Sequence, residues 1–270
     1  STWVWFTRGG EASTAIYANF HGKDPNRETV EINVRDSCFY PDRPGRNYIT
    51  LRGFTMRHAA TPWSGAMSEQ IGLVGTHWSK GWVIENNVIS HSMNTGITLG
   101  RYDLPKRGVA MPPATAPGFV ESCELALEHG WSREQIGSHV VRNNHISHCE
   151  QAGLVGSLGA IFSTITSNEV NEIHVRRLFS GWEMAGIKIH ASIDMEISGN
   201  HIHDTFRGIW LDWMAQGTRI TRNLFHHNSE QDLFIEVNHG PYLVDNNLCL
   251  SSVSITDWSQ GGAFVHNLFA

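Results

Sequence analysis

The chain has 270 residues, with 20 Lys and Arg against 26 Asp and Glu, and 40% of its residues are hydrophobic. That composition excludes a disulfide-stapled miniprotein and a disordered segment. No apolar run approaches the ~18 residues of a membrane-spanning helix, and the formal charge of −6 argues against a nucleic-acid-binding protein.

Three counts stand out: 26 Gly, 16 His and 10 Trp. Many glycines suit an all-β chain rich in turns, and tryptophans among histidines and acids suit a surface that stacks on sugar rings. Cys38, Cys123, Cys149 and Cys249 form no CxxC pair and read as reduced, mostly buried thiols, with two disulfides as the alternative. The sequence opens at Ser1 without Met and ends on FVHNLFA, a segment resembling the middle of a repeat, so it reads as a piece of a longer protein.

In chain order, residues 1–44 read as early, irregular rungs, with an alternating stretch at 14–20. From there a repeat is marked by asparagine. Asn87, Asn144, Asn168, Asn200, Asn223 and Asn247 each precede a short apolar pattern, a weaker copy follows at Asn267, and RGFTMRH carries Gly53 in the same slot. From Asn144 onward the spacings are 24, 32, 23 and 24 residues. Each copy has a strand upstream, such as 82–85 or 218–221, and a second signature downstream: GITLG (96–100), GLVGS (153–157), GIKIH (186–190), GIWLD (208–212) and DLFIE (232–236). Several short strands per turn of roughly 22–25 residues define an all-β fold, a parallel β-helix whose rungs share one core. The asparagines read as a ladder of side-chain amides at a corner, in left-handed backbone geometry, and have no catalytic part. Residues 101–135 interrupt the repeat with a proline-rich loop and a short helix over 119–129 ending at Gly130; residues 172–185 form a second long connection. Insertions in a solenoid usually line its binding face.

Strand alternation turns Ile209 and Leu211 inward, with Trp210 and Asp212 outward; Leu233 and Ile235 point in, with Phe234 and Glu236 out. The alignment stacks His190, Asp212 and Glu236 in one column and Lys188, Trp210 and Phe234 in the next. Rungs ~4.8 Å apart bring two carboxyl groups to about 5–6 Å, the separation of a retaining rather than an inverting glycosidase. Trp210, Trp213 and Phe234 would wall a sugar. Lys188 and His190 bring positive charge to Asp212, and Asn238 and His239 are placed to bond sugar hydroxyls.

Other groups read as structural. His91, His148 and His227 share a turn slot with Glu172 and Asp204, which favours a solvated column over a metal site. His201 and His203 are expected on opposite faces, unable to chelate from one side of a strand, and the neighbours His226 and His227 likewise unless the turn bends. GLVGSLGA lacks the Lys-Ser/Thr of a phosphate loop. Trp78 and the pair Arg176 and Arg177 fit either a structural or a subsite role.

The strings YITLRGFTMRHAATPW (48–63), HCEQAGLVGSLGA (148–160), EMAGIKIHA (183–191), GIWLDWMAQGTR (208–219) and EVNHGPYLVDNNL (236–248) resemble glycoside hydrolase family 120 over nearly the whole chain. The resemblance implies a right-handed parallel β-helix, a further sandwich-like domain, and a retaining β-xylosidase acting on xylobiose and xylo-oligosaccharides without a cofactor or metal. It implies Asp212 as nucleophile, Glu236 as general acid/base and Glu183 as a substrate-binding acid; stacking alone selects the first two. A β-helix lyase or epimerase acting on uronates, and a non-catalytic carbohydrate-binding solenoid, are the alternatives. A homo-oligomer is left open.

Overall fold

A computed structural model describes residues 4–65, 69–101, 116–180 and 183–270. The chain divides into two units, Ser1–Val34 and Arg35–Ala270. In the first, Trp5–Gly9 and Thr14–Ala18 pair antiparallel from Trp5↔Ala18 to Gly9↔Thr14. The turn closes where Gly10 N–H donates to the Ser13 carbonyl at 2.8 Å, and Phe6 stacks on Tyr17. This corrects the expectation of irregular rungs for this stretch, and of one β-helix from residue 1. Alternation over 14–20 is shared by a hairpin strand and a rung, and only the nearby Gly9-Gly10 turn separates the two. Further on, Phe39 forms a parallel bridge to Val74, so rung pairing has begun there.

The second unit is a stack of rungs in which three parallel sheets, of eight, seven and eight strands, run the length of the coil. The middle one carries the expected downstream signatures: Thr95–Thr98, Ala152–Ser157, Ala185–His190, Ile209–Asp212 and Leu233–Glu236 pair in sequence, followed by Ile255–Trp258. Ile97, Leu154, Ile187, Ile209 and Leu233 form one inward column and Ile189, Leu211 and Ile235 another, all in the core with at most 1% exposure. A rung alone would leave these side chains in water, so burial is obtained only by stacking. The glycine that opens most of these strands is set by the same closeness: a Cβ on Gly208 would lie 2.4 Å from the Asp232 carbonyl oxygen of the next rung.

The asparagines do form a ladder. Asn87 Nδ2 donates to Asn144 Oδ1 at 3.0 Å, and the same bond joins Asn144 to Asn168, Asn200, Asn223 and Asn247 in turn, each at 3.0 Å. It continues to Asn267 at 2.9 Å. Each Oδ1 also accepts the backbone N–H of the asparagine before it, as from Asn168 to Asn200, and the second Nδ2 hydrogen goes to a carbonyl of the rung behind, as from Asn200 to Ile165. Two details differ from expectation. The left-handed residue is the one before each ladder asparagine, such as Asn143 with φ 54° or Arg222 with φ 56°. In the first rung the slot belongs to Phe54, whose N–H reaches Asn87 Oδ1, and not to Gly53. Gly53 sits in the left-handed column, where it has φ 76°.

The interrupting segment contains the helix Ala116–His129, three residues longer at its start than expected because Pro117 is tolerated in a first turn. Gly130 follows with φ 99°, a left-handed helix stop. The proline-rich stretch 102–115 before it lies outside the described residues. All four cysteines are free thiols, and Cys149 and Cys249 are buried.

Removing one ladder amide strands donors and acceptors on both neighbouring rungs. Asn200→Leu should lower stability by on the order of 3–5 kcal/mol, since each unpaired buried group costs about 1–3 kcal/mol. Urea unfolding followed by circular dichroism measures it; a loss below 1 kcal/mol (about the value of one ordinary hydrogen bond) would show that the ladder is incidental.

Candidate active site

The outer face of the middle sheet carries the expected constellation. The pairing His190↔Asp212↔Glu236 sets these three in one column, and Lys188↔Trp210↔Phe234 in the adjacent one. Asp212 and Glu236 are thus direct neighbours across parallel strands, one strand spacing of ~4.8 Å apart along the backbone.

Asp212 is held by the Lys188 ammonium and approached by the His190 imidazole. Its Oδ2 receives the Lys188 ammonium at 2.6 Å and lies 3.2 Å from His190 Nε2. Its Oδ1 is buried with no hydrogen-bond partner among the described residues. Lys188 has no exposed surface, which is rare for an ammonium and tolerable only because it is paired. Its Nζ lies 3.1 Å from the centre of the Trp210 ring, a cation–π contact strengthened by dehydration.

Glu183 joins from outside the stack. It has φ 72° and 4% exposure, at the close of the 172–185 connection, of which residues 181 and 182 lie outside the described residues. Its Oε1 is 3.2 Å from His190 Nε2 and 3.9 Å from Lys188 Nζ. Glu183, His190 and Asp212 are close enough to share a metal ion, but Lys188 already supplies the positive charge at that point, so the set does not suit a divalent cation.

Glu236 is half-buried and differs from Asp212. Burial first, and then the Asp212 carboxylate, push its pKa above the ordinary carboxyl value, while Lys188 works in the opposite direction. The two acids of one column therefore have unlike surroundings, one bonded to an ammonium and the other with its pKa raised.

Trp210 and Phe234, expected as apolar walls, are 5% and 4% exposed and pack on each other and Ala185. They lie behind the charges, and Trp210 also holds Lys188. Trp213 meets the site through the helix, where Phe119 contacts both His190, with ring centroids 5.2 Å apart, and Trp213, at 5.4 Å. The insertion therefore does lie over this face. Asn238 is corrected: its Oδ1 accepts from Ala215 N–H at 2.7 Å and its Nδ2 donates to the Leu211 carbonyl at 3.1 Å. Its amide is spent on neighbouring backbone, as in the corner ladder, and is not left for sugar hydroxyls. His239 is exposed beyond the strand and is not drawn into the charged cluster. Trp78 packs in the apolar cluster beneath the helix, and Arg176 pairs with Glu150.

Three residues of the site were not singled out from sequence. Arg207 lies 4.5 Å over the Trp210 ring and 4.9 Å over Phe234, Phe119 covers His190, and Trp258 follows Glu236 in its column and meets Phe234 edge-on. Extending the strand alignment by one rung, from DLFIE to SITDW, finds Trp258. Arg207 precedes the repeated glycine and has no periodic signal.

Known proteins match this arrangement. The description "right handed beta helix region" fits residues 71–269, and the chain belongs to that family of solenoids. The glycoside hydrolase 120 insertion domain fits residues 1–32, the stretch that holds the separate hairpin. The solved structure of XylC with xylose is 46% identical, with a TM-score of 0.90, over 98% of this chain and 43% of its own. The present chain thus spans less than half the length of that relative. A structure described as a glycoside hydrolase is 14% identical with a TM-score of 0.46, over 73% of this chain and 38% of its own, too distant to bear on the site. None of the curated proteins matches.

The Lys188–Asp212 pair makes a stability prediction. Lys188→Met, which leaves a buried carboxylate without its ammonium, should cost about 3–5 kcal/mol. Adding Asp212→Leu should recover most of that loss in urea denaturation. A double variant as unstable as the single one would mean that Lys188 acts through packing on Trp210 and not through charge.

Proposed function

We propose that this chain is the catalytic β-helix of a retaining β-xylosidase that releases xylose from xylobiose and xylo-oligosaccharides by double displacement. The observation that carries the reading is the register of Asp212 beside Glu236, with the first bound to Lys188 and His190 and the second pushed toward its protonated form. A carboxylate paired with an ammonium, beside a second carboxyl whose pKa is raised, is the division of roles a retaining site uses. Likeness to XylC, described with xylose bound, supports the choice of sugar.

In this mechanism Asp212 Oδ1 attacks the anomeric carbon while Glu236 gives its proton to the leaving glycosidic oxygen. The glycosyl–Asp212 ester forms as the carbon–oxygen bond to the leaving group breaks. Glu236, now a carboxylate, takes a proton from water as that water attacks the same carbon and expels Asp212, which restores both groups. Lys188 and His190 hold Oδ2, so that Oδ1 is the reacting atom. Glu183, linked to His190, is placed to bond a sugar hydroxyl. A uronate-cleaving lyase would need cations free to neutralise a substrate carboxylate; Lys188 is already committed to Asp212 and has no exposed surface.

Proton NMR with an aryl β-xyloside should show β-xylose as the first anomer released. First release of α-xylose would overturn the retaining assignment. Glu236→Ala should lower turnover of unactivated xylosides by roughly 10²–10⁴-fold; with an aryl xyloside whose phenolate leaves without protonation, azide should restore turnover with a β-xylosyl azide product. Asp212→Gly should give no β-azide. If the β-azide came from the Asp212 variant, the two roles would be exchanged.

The raised pKa of Glu236 also fixes a sign. Below the carboxyl's unfolded pKa it is protonated in both states and adds nothing. As pH rises through the folded value, deprotonation places charge beside Asp212 and stability is lost. Glu236→Gln should therefore raise the melting temperature relative to the parent near pH 7 but not near pH 4. An equal difference at both pH values would contradict this.

A further inference from the structure

The eight-stranded sheet that contains Glu169–Asn171, His201–His203 and Leu224–His226, separate from the sheet of the carboxylate pair, carries a histidine cluster that the reaction does not use. In His201–His203, Ile202 is fully buried in the core, so the residues on either side both point outward, with ring centroids 4.4 Å apart. This corrects the expectation that they take opposite faces: residues i and i+2 of a strand share a face. Glu169 is the register partner of His201 on the adjacent rung, and His226 is that of His203 on the rung beyond. His226 and His227 also converge, with Nδ1 atoms 2.8 Å apart, because His227 turns the corner at φ 55°.

Potential ligand atoms of these side chains converge on one point of the surface. One ligand atom each from Glu169, His201 and His203 lie within 4.8 Å of one another, and His203 Nε2 is 3.6 Å from Glu169 Oε1. Ligands about 2.0–2.2 Å from a tetrahedral ion sit roughly 3.3–3.6 Å apart, so small rotamer changes close the set. His203 Nδ1 donates to Asp204 Oδ2 at 2.7 Å. That fixes the tautomer with the Nε2 lone pair toward Glu169, and Nε2 has no hydrogen-bond partner among the described residues. A carboxylate that accepts the far N–H of an imidazole is the usual support behind a metal-bound histidine. His226 Nε2 lies 2.8 Å from His201 Nε2. In contrast to the carboxylate site, no lysine or arginine pairs with Glu169 or Asp204 among the described residues.

We propose that Glu169, His201 and His203, with Asp204 behind His203 and His226 beside His201, form a site for a divalent d-block cation of the Zn2+ or Ni2+ type. Imidazole nitrogen with one carboxylate selects those ions over Mg2+ and Ca2+, which prefer all-oxygen shells. The ion would bridge the Glu169 rung to the His201 rung and so act as a clamp between successive turns. Because it binds only the folded state, it stabilises that state.

Isothermal titration of the tag-free chain with ZnCl2 tests the site. One equivalent should bind to the parent and to Asp212→Asn alike. His203→Asn and Glu169→Gln should each abolish that equivalent, and Asp204→Asn should weaken it by about 10–100-fold. Zn2+ should raise the melting temperature of the parent and of Asp212→Asn but not of Glu169→Gln, whose half-exposed side chain leaves folding intact if His203→Asn does not fold. Absence of binding to the parent, an equivalent retained in Glu169→Gln, or Mg2+ bound as tightly as Zn2+ would overturn the proposal.

Discussion

Rung registration is the constraint on which everything else rests. A parallel strand pair is indifferent to sliding by two residues as far as its backbone is concerned, and sliding by one reverses which side chains are buried. Here the asparagine ladder removes that freedom. Each amide bonds one definite partner on the next turn and one carbonyl on the turn behind, so the corner of every rung is pinned. With the corner fixed, Leu211 and Ile235 lie in the core, and Asp212 and Glu236 come out side by side. A slip of one residue would bury both acids against isoleucine and leucine. The core and the chemistry are set by the same bonds.

The charged cluster shows how a solenoid makes two unlike environments from one repeat. Neighbouring positions in a column differ by a single rung, yet Asp212 has His190 on one side and the Lys188 ammonium diagonally across, while Glu236 has Phe234 beside it and Trp258 beyond. Like charges stacked on adjacent strands repel, and here the Lys188 ammonium is bonded to Asp212, while burial first and then Asp212 raise the pKa of Glu236. Trp210 contributes through its π face, which supports the ammonium from beneath, so an aromatic side chain that at first suggests sugar stacking serves the electrostatics.

Much of this was legible in sequence because the repeat lets one rung be aligned on another. Asp212 and Glu236 are 24 residues apart along the chain, yet the aligned signatures put them side by side, and family resemblance added Glu183, which no column contains. The reading failed where a residue lies off the lattice or where alternation was misapplied. The hairpin of residues 5–18 alternates as a rung does. Asn238 looked like a free polar group just past the strand, but a corner position consumes its amide. Arg207 reaches the aromatic wall from a connection. His201 and His203 were assigned to opposite faces although Ile202 between them is the core residue.

The ladder bond between Asn87 and Asn144 spans 57 residues and that between Asn200 and Asn223 spans 23, yet both are 3.0 Å long. The difference is the segment that carries the helix. Chain length between turns is thus decoupled from the geometry of the turns, and new material can enter at one corner without disturbing the coil on either side. The helix that covers His190 arrives by that route. In evolutionary terms, the scaffold and its cover can diversify separately: a lineage could lengthen, shorten or exchange the segment over the carboxylates, and with it the access to that face, while the strands that hold Asp212 and Glu236 stay the same.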